Sequence, residues 1–291
     1  MCAAISRADL DDGATIKRQF VGIAGLPRAG STLLCQLLAT HPDIYCEGHT
    51  SPLCNALVTT RRTISHETSM LSQLDAQFDT SYGHLKSALQ GFFNGWYADC
   101  DKPLVADKNR AWLHCIELLL HLEPNARILI PLRELGQVYG SIESQHQKTI
   151  LLDFIDSMAD FDRMTRADQL FARDKSIGAP LLSIQAIQDL PAAVRKRLYF
   201  VKFEDLVQSP ASTMSPIFQW LGLPDHRIDP HALNVRPHES DSHYRFKYRH
   251  TQKSYIEAGT PHAVPQRIQQ LIQQACKWYY EWFYPNYLQQ K

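Results

Sequence analysis

The stretch VGIAGLPRAGSTLLCQLLATHP, residues 21–42, decides the fold. An apolar run, Phe20 to Ala24, stops at Gly25 and reads as a buried β-strand. A Gly/Pro turn follows. Leu33, Leu34, Leu37 and Leu38 then recur at helical spacing, with Ser31 and Thr32 in the first turn. The His-Pro-Asp at 41–43 stops that helix. Strand, tight turn and helix N-terminus together make an anion cradle, because successive backbone N–H groups and the helix dipole converge there. The lysine of the common triphosphate loop GxxxxGK[ST] is missing, and Arg28 supplies the fixed cation instead.

Outward from this loop, strands alternate with helices. Residues 102–108 and the aliphatic run 126–133, ARILIPLR, read as buried strands, and 197–206 as a further one. Helices are expected at 81–97, 110–121, 134–148, 152–173, 212–221 and 264–283. Residues 225–265, rich in His, Pro and Arg, read as a long loop. The pattern implies an α/β fold of the P-loop NTPase type: a central parallel sheet with helices on both faces. Ligands bind such sheets beyond the carboxyl ends of the strands. The loop at 25–32, Asp107–Arg110, Arg133 and Glu204–Asp205 are therefore expected to converge. The division expected is a short N-terminal arm, 1–18, and a single domain, 19–291.

Lys plus Arg equals Asp plus Glu at 30 each, which gives no nucleic-acid footprint in the net charge. The seven cysteines form no CxxC pair, which argues against a zinc site or disulfide framework and for a reducing, cytoplasmic setting. The N-terminus lacks a secretory h-region, and no apolar run suits a membrane span, so no membrane partner is expected.

GLPRAGSTLL resembles the 5′-phosphosulfate loop of sulfotransferases that use 3′-phosphoadenosine 5′-phosphosulfate, closest to the bacterial and tyrosylprotein branch, PRSG[ST]T. Ala29 stands where that branch has Ser. The resemblance implies that Arg28, Ala29, Gly30, Ser31, Thr32 and Leu33 hold the 5′-phosphate with its sulfuryl group, Arg28 facing the bridging oxygen. Arg133 at a strand end with Ser141 eight residues on resembles the family's 3′-phosphate motif, where a guanidinium and a hydroxyl give charge-assisted bonds. RLYFVKFEDL resembles a further family strand, with Phe203 in place of a common Tyr and suited to stacking on adenine.

The same resemblance suggests the chemistry. Sulfuryl transfer needs a base for the acceptor proton and cations for the leaving phosphate. Counting from the shared His-Pro, the family's catalytic Glu falls on His49; with a two-residue shift it falls on Glu47. Glu47 is the first candidate and His49 the second. Lys108, in ADKNRAWL, matches a lysine that stabilises the transferring group, with Asp107 and Arg110 as orienting neighbours; Asp107 could instead simply cap the next helix. Within the basic run at 243–253, Lys247, Arg245 and Arg249 are candidates to close on the 3′-phosphate. No metal is expected, since Arg28 and Lys108 take a cation's place and no magnesium motif is evident. The acceptor is a small molecule or peptide bearing a hydroxyl or amine. The C-terminal aromatics, chiefly core, leave a homodimer open. Rival readings are a P-loop kinase of a small molecule or nucleoside and a non-catalytic nucleotide-binding protein; the missing loop lysine and the Arg133/Ser141 pair speak against the first.

Overall fold

The computed structural model describes residues 18–152, 158–234, 239–240, 249–250 and 253–288. Strand β1 (Gln19–Ile23) lies at the centre of a five-stranded sheet. Helix α1 (Ser31–Leu38) follows it, then the two-residue edge strand β2 (Ile44–Tyr45). Three helices come next: α2 (Leu53–Ser65), α3 (Thr68–Ala76) and α4 (Phe78–Trp96). Strand β3 (Leu104–Lys108) leads into a 3-10 segment, Arg110–Cys115, and α5 (Ile116–Leu122). Strand β4 (Arg127–Leu132) precedes α6 (Leu135–Lys148), α7 (Arg163–Phe171), α8 (Gly178–Ala186) and the short α9 (Ala192–Arg195). Strand β5 (Leu198–Lys202) is followed by α10 (Phe203–Gln208) and α11 (Pro210–Leu221). A two-residue ribbon, β6 (Glu239–Ser240) with β7 (Arg249–His250), precedes α12 (Gln266–Ala275) and α13 (Lys277–Phe283).

The sheet order is β2-β3-β1-β4-β5, and every neighbouring pair is parallel. Successive side chains of a strand point to opposite faces, and the two cores follow that alternation. Phe20, Val105, Ile128 and Ile130 enter the core beneath α2, α4, α6 and α13, with Trp112 and Tyr279. Val21, Leu104, Ala106 and Leu129 enter the opposite core with Leu34, Leu37 and Leu38 of α1 and Met214 and Phe218 of α11. The expected parallel sheet with helices on both faces is thus observed. None of the described helices is long and apolar enough to cross a membrane.

Several boundaries depart from expectation. β5 ends at Lys202, and Phe203-Glu204-Asp205 begin a helix instead of extending the strand. The expected helix at 110–121 starts as a 3-10 segment because the Asn109 side chain accepts from the Ala111 N–H and tightens the first turn. The expected helix at 264–283 is two, broken at Cys276, whose φ of −113° and ψ of 34° lie outside the helical region. β6 and β7 pair within the stretch expected to be loop. Within the helix expected at 152–173, residues 153–157 lie outside the described residues, and α7 starts only at Arg163, where Asp162 caps it through the Met164 and Thr165 N–H groups. Of the expected N-terminal arm, residues 1–17 lie outside the described residues, while Arg18 donates to the Tyr97 and Ala98 carbonyls.

Candidate active site

The loop between β1 and α1 turns on two residues in the left-handed region, Arg28 at φ 58° and Gly30 at φ 85°. Gly30 is also the N-cap of α1. A Cβ there would run into the Phe203 ring, so the position needs glycine for space as well as for φ. The loop therefore packs directly against the first residue of α10.

Two arginines meet across this loop. Arg28 Nε donates to Ser141 Oγ at 3.0 Å. With its oxygen turned to the guanidinium, the Gln145 amide accepts from Arg28 Nη2 at 2.9 Å and Nη1 at 3.2 Å. Arg133, just beyond β4, donates from Nη1 to the Arg28 carbonyl at 3.0 Å, and its guanidinium lies 4.5 Å from the centre of the Phe203 ring. Burial lowers the Arg133 pKa, the neighbouring Arg28 lowers it further, and Glu204 and Glu134 oppose both. Two cations held this close favour an anion between them. Ser141 is buried on the same face of α6. The Arg28 side chain is thus hydrogen-bonded to α6.

The ground beneath Arg133 is acidic and fully bonded. Glu134 caps α6, accepting from the Gly136 and Gln137 N–H groups at 3.0 and 2.8 Å. It also accepts from the Tyr280 hydroxyl at 2.5 Å and the Gln269 amide at 2.9 Å. The Tyr279 hydroxyl donates to the Arg133 carbonyl at 3.0 Å. Glu204 accepts from the Glu134 N–H at 3.1 Å and the Tyr284 hydroxyl at 2.9 Å. Burial, first of all, raises the pKa of all three tyrosines, which keeps them as neutral donors. The C-terminal aromatics thus brace the site as well as filling the core. Asp205 is exposed and, unlike Glu204, has no part here.

On the other side of β1, Lys108 is paired with Ile23 in the β1–β3 register and is buried. The segment after β2 is laced to it. Thr50 bridges to Lys108, the Ser51 N–H donates to the Lys108 carbonyl at 2.9 Å, and the Asn109 amide donates to the Ser51 carbonyl at 2.6 Å. Gly48, at φ 79°, takes up the extra length between Tyr45 and Thr50. Glu47 is exposed and accepts a hydrogen bond from the Tyr45 hydroxyl, whereas His49 is half-buried. Asp107 does not cap the segment that follows. Its buried carboxylate accepts from Trp112 Nε1 at 2.6 Å and the Tyr97 hydroxyl at 2.5 Å, and burial raises its pKa. Asn109 is the cap that Asp107 was expected to be.

The loop, Lys108, Arg133 and Glu204 therefore sit together at the carboxyl ends of β1, β3, β4 and β5. Arg245 and Lys247 lie outside the described residues, and Arg249 is described only as backbone of β7. Gln145 was missed, although it stands four residues after Ser141 on one helix face, a legible spacing. Glu134 and the three tyrosines carried no local signal. Among the described residues no group of three or more His, Cys, Asp or Glu side chains could hold a metal ion.

Residues 21–227 match the model of the sulfotransferase family. The chain is 24% identical over 217 residues to protein-tyrosine sulfotransferase A of Caenorhabditis elegans, covering 74% of this chain and 52% of the relative. It is 27% identical over 203 residues to protein-tyrosine sulfotransferase 2 of Gallus gallus, covering 69% and 50%. The chain thus spans about half the length of the curated relatives it matches. Among solved structures, the sulfotransferase domain from the curacin biosynthetic pathway is similar at 16% identity and a TM-score of 0.49, over 89% of this chain and 97% of that one. With the matched model running from β1 through β5 and α11, this chain belongs to the sulfotransferase family.

Proposed function

We propose that the chain moves a sulfuryl group from 3′-phosphoadenosine 5′-phosphosulfate to a hydroxyl or amine of a small-molecule or peptide acceptor. The observation that carries this reading is the Arg28–Ser141–Arg133 cluster, which ties the phosphate loop to the end of β4. A nucleotide with phosphates at both 5′ and 3′ positions fits such a cradle: two guanidiniums, a hydroxyl, an aromatic ring at Phe203, and a glycine where a Cβ would block the loop.

When bound, that nucleotide supplies the sulfuryl group on its 5′-phosphate. The backbone N–H groups of Ala29 to Leu33, with the Ser31 and Thr32 hydroxyls, take the 5′-phosphate. Arg133 and Ser141 take the 3′-phosphate. Arg28 and Lys108 offset the charge that grows on the leaving phosphate, a role that needs preorganised cations. Lys247, Arg245 and Arg249 of the 243–253 run are the candidates to close on the 3′-phosphate.

The base comes from the segment between β2 and α2. Two observations support His49 ahead of Glu47. Thr50, the residue after His49, bridges to Lys108, and Glu47 is exposed with its carboxylate engaged by Tyr45. Either would take the acceptor's proton as the oxygen or nitrogen attacks in line.

Calorimetry tests the reading. 3′-Phosphoadenosine 5′-phosphate should bind well above adenosine 5′-phosphate and ATP, and a mass-shift screen should then show an acceptor heavier by one sulfuryl group. Equal affinity for the three nucleotides rejects it. His49→Asn and Glu47→Gln separate the bases: loss of the base lowers kcat by about 100-fold or more, with nucleotide affinity unchanged.

A further inference from the structure

Three cations gather at the end of the sheet remote from the phosphate loop. Arg127 opens β4, Arg197 directly precedes β5, and Lys196 follows α9. Ile128 and Leu198 are register partners in parallel strands, and the Ile128 N–H donates to the Arg197 carbonyl at 2.9 Å, so the two arginines stand side by side. Ile128 and Leu198 enter the core beneath α6 and α13. The arginines, one position earlier, face the opposite side, toward Trp220 of α11. With Ala193 and Trp220, the three cations line an open cleft of about 510 Å³, within the range of small-ligand sites. The six residues of β4 span about 20 Å, which separates this cleft from Arg133 at the other end.

Arg127 is fixed in place. Its guanidinium lies 5.2 Å from the centre of the Trp220 ring, and Nη1 donates to the Trp220 carbonyl in the last turn of α11. Trp220 Nε1 in turn donates to the Lys196 carbonyl at 3.3 Å, which ties α11 to the end of α9. Satisfying a carbonyl at the end of α11 accounts for Arg127. It does not account for the other two. Among the described residues, the Lys196 and Arg197 side chains make no hydrogen bond, and no carboxylate comes within the 4.0 Å of an ion pair with any of the three cations. Glu123 feels the Arg197 charge from beyond that distance. Burial first, and the Arg197 charge second, lower the Arg127 pKa. Like charges side by side on paired strands cost stability, and an anion held between them turns that cost into a gain.

We propose that this cleft binds a small phosphate monoester, its dianionic phosphate held between Arg127 and Arg197 with Lys196 beside it. Guanidinium forks match phosphate oxygens two at a time, and the lysine adds a point charge. Three positive charges suit a dianion better than a singly charged carboxylate. Ala193 and Trp220 line the cleft for the organic part of the ester. The cations converge on one cleft in a chain of zero formal net charge, which sets a small ester ahead of a nucleic-acid strand.

Calorimetric titration of the full-length protein with phenyl phosphate, at low ionic strength, tests this. Phenyl phosphate should bind more tightly than inorganic phosphate, which lacks the ring, and than phenylacetate, which carries one charge. Its affinity should rise as pH passes about 6, where a phosphate monoester gains its second charge. Lys196→Gln combined with Arg197→Gln should weaken binding by about 10-fold or more. Arg133→Ala, at the far end of the sheet, should leave this binding in place. The single Arg197→Gln variant gives the same reading where the double variant folds poorly. No binding by the wild-type protein would overturn the proposal, as would affinity equal to that of inorganic phosphate or phenylacetate. Binding that survives in the cleft variants but is lost in Arg133→Ala would place the ester at the phosphate loop and overturn it as well.

Discussion

Arg28 and Ser141 stand 113 residues apart in the chain and share a 3.0 Å hydrogen bond. The bond joins the loop after β1 to the first half of α6, which hold the two phosphate subsites of the proposed nucleotide. A change on one side is therefore felt on the other, and this coupling gives the predictions their direction.

Arg133→Ala should weaken 3′-phosphoadenosine 5′-phosphate by about 10- to 100-fold, since a hydrogen bond to a charged group contributes roughly 1.5–3 kcal/mol. Adenosine 5′-phosphate, which lacks the 3′ group, should lose far less. Calorimetry on both ligands reads the difference; equal losses would assign Arg133 to the fold alone.

Ser141→Ala removes a direct donor to the proposed 3′-phosphate and the partner of Arg28 together. A loss of roughly 0.5–1.5 kcal/mol in nucleotide binding is expected. Because Gln145 holds the same guanidinium, a double-mutant cycle of Ser141→Ala with Gln145→Leu should depart from additivity. Strict additivity would mean that Arg28 is positioned by something else.

Gly30→Ala forces a Cβ toward Phe203 on a left-handed backbone. Such strain costs about 1–3 kcal/mol, so the melting temperature should drop by several degrees. Adding Phe203→Ala should recover the part due to the clash and none of the part due to φ. Differential scanning calorimetry separates the two.

Glu143 on α6 is buried and binds Arg166 on α7, through Nε at 2.9 Å and Nη2 at 2.6 Å. Burial alone would raise its pKa, but the hydrogen bonds from Arg166 and Gln147 outweigh it and the pKa lies below the ordinary 4.5. A carboxyl depressed in the folded state adds stability that is complete above its unfolded pKa. That stability is lost as pH falls through the folded one. The melting temperature should therefore decline below about pH 4.5, the usual glutamate range, and Glu143→Gln should flatten the acid limb while lowering stability at neutral pH. An unchanged acid limb would place the titration elsewhere.

The sheet was legible because its strands are nearly continuous aliphatic runs, and the phosphate loop because glycine and small polar residues punctuate a strand-to-helix turn. Two-residue β2 has too few positions to show a period. α2 and α3 were missed because Thr59–Arg62 and Ser69–Gln73 lie largely on solvent-facing turns, which leaves a weak apolar stripe. β5 was read four residues too long at its end because Phe203 continues the apolar run, and only the backbone shows where the strand stops. The Arg133/Ser141 pair was visible by spacing. The bracing of Arg133 by Tyr279, and of Glu134 and Glu204 by Tyr280 and Tyr284, was not, because those contacts join residues about 80 or more positions apart.

The bracing tyrosines sit beyond the segment that matches the family model, which ends at residue 227. A fragment cut at that boundary would keep every recognisable motif and lose the struts that aim them. On the proposed reading, possession of the motifs and competence to bind the nucleotide are separable in this chain. A transplant meant to keep Arg133 and Glu204 in place beside the loop would carry α13 and Tyr284 as well.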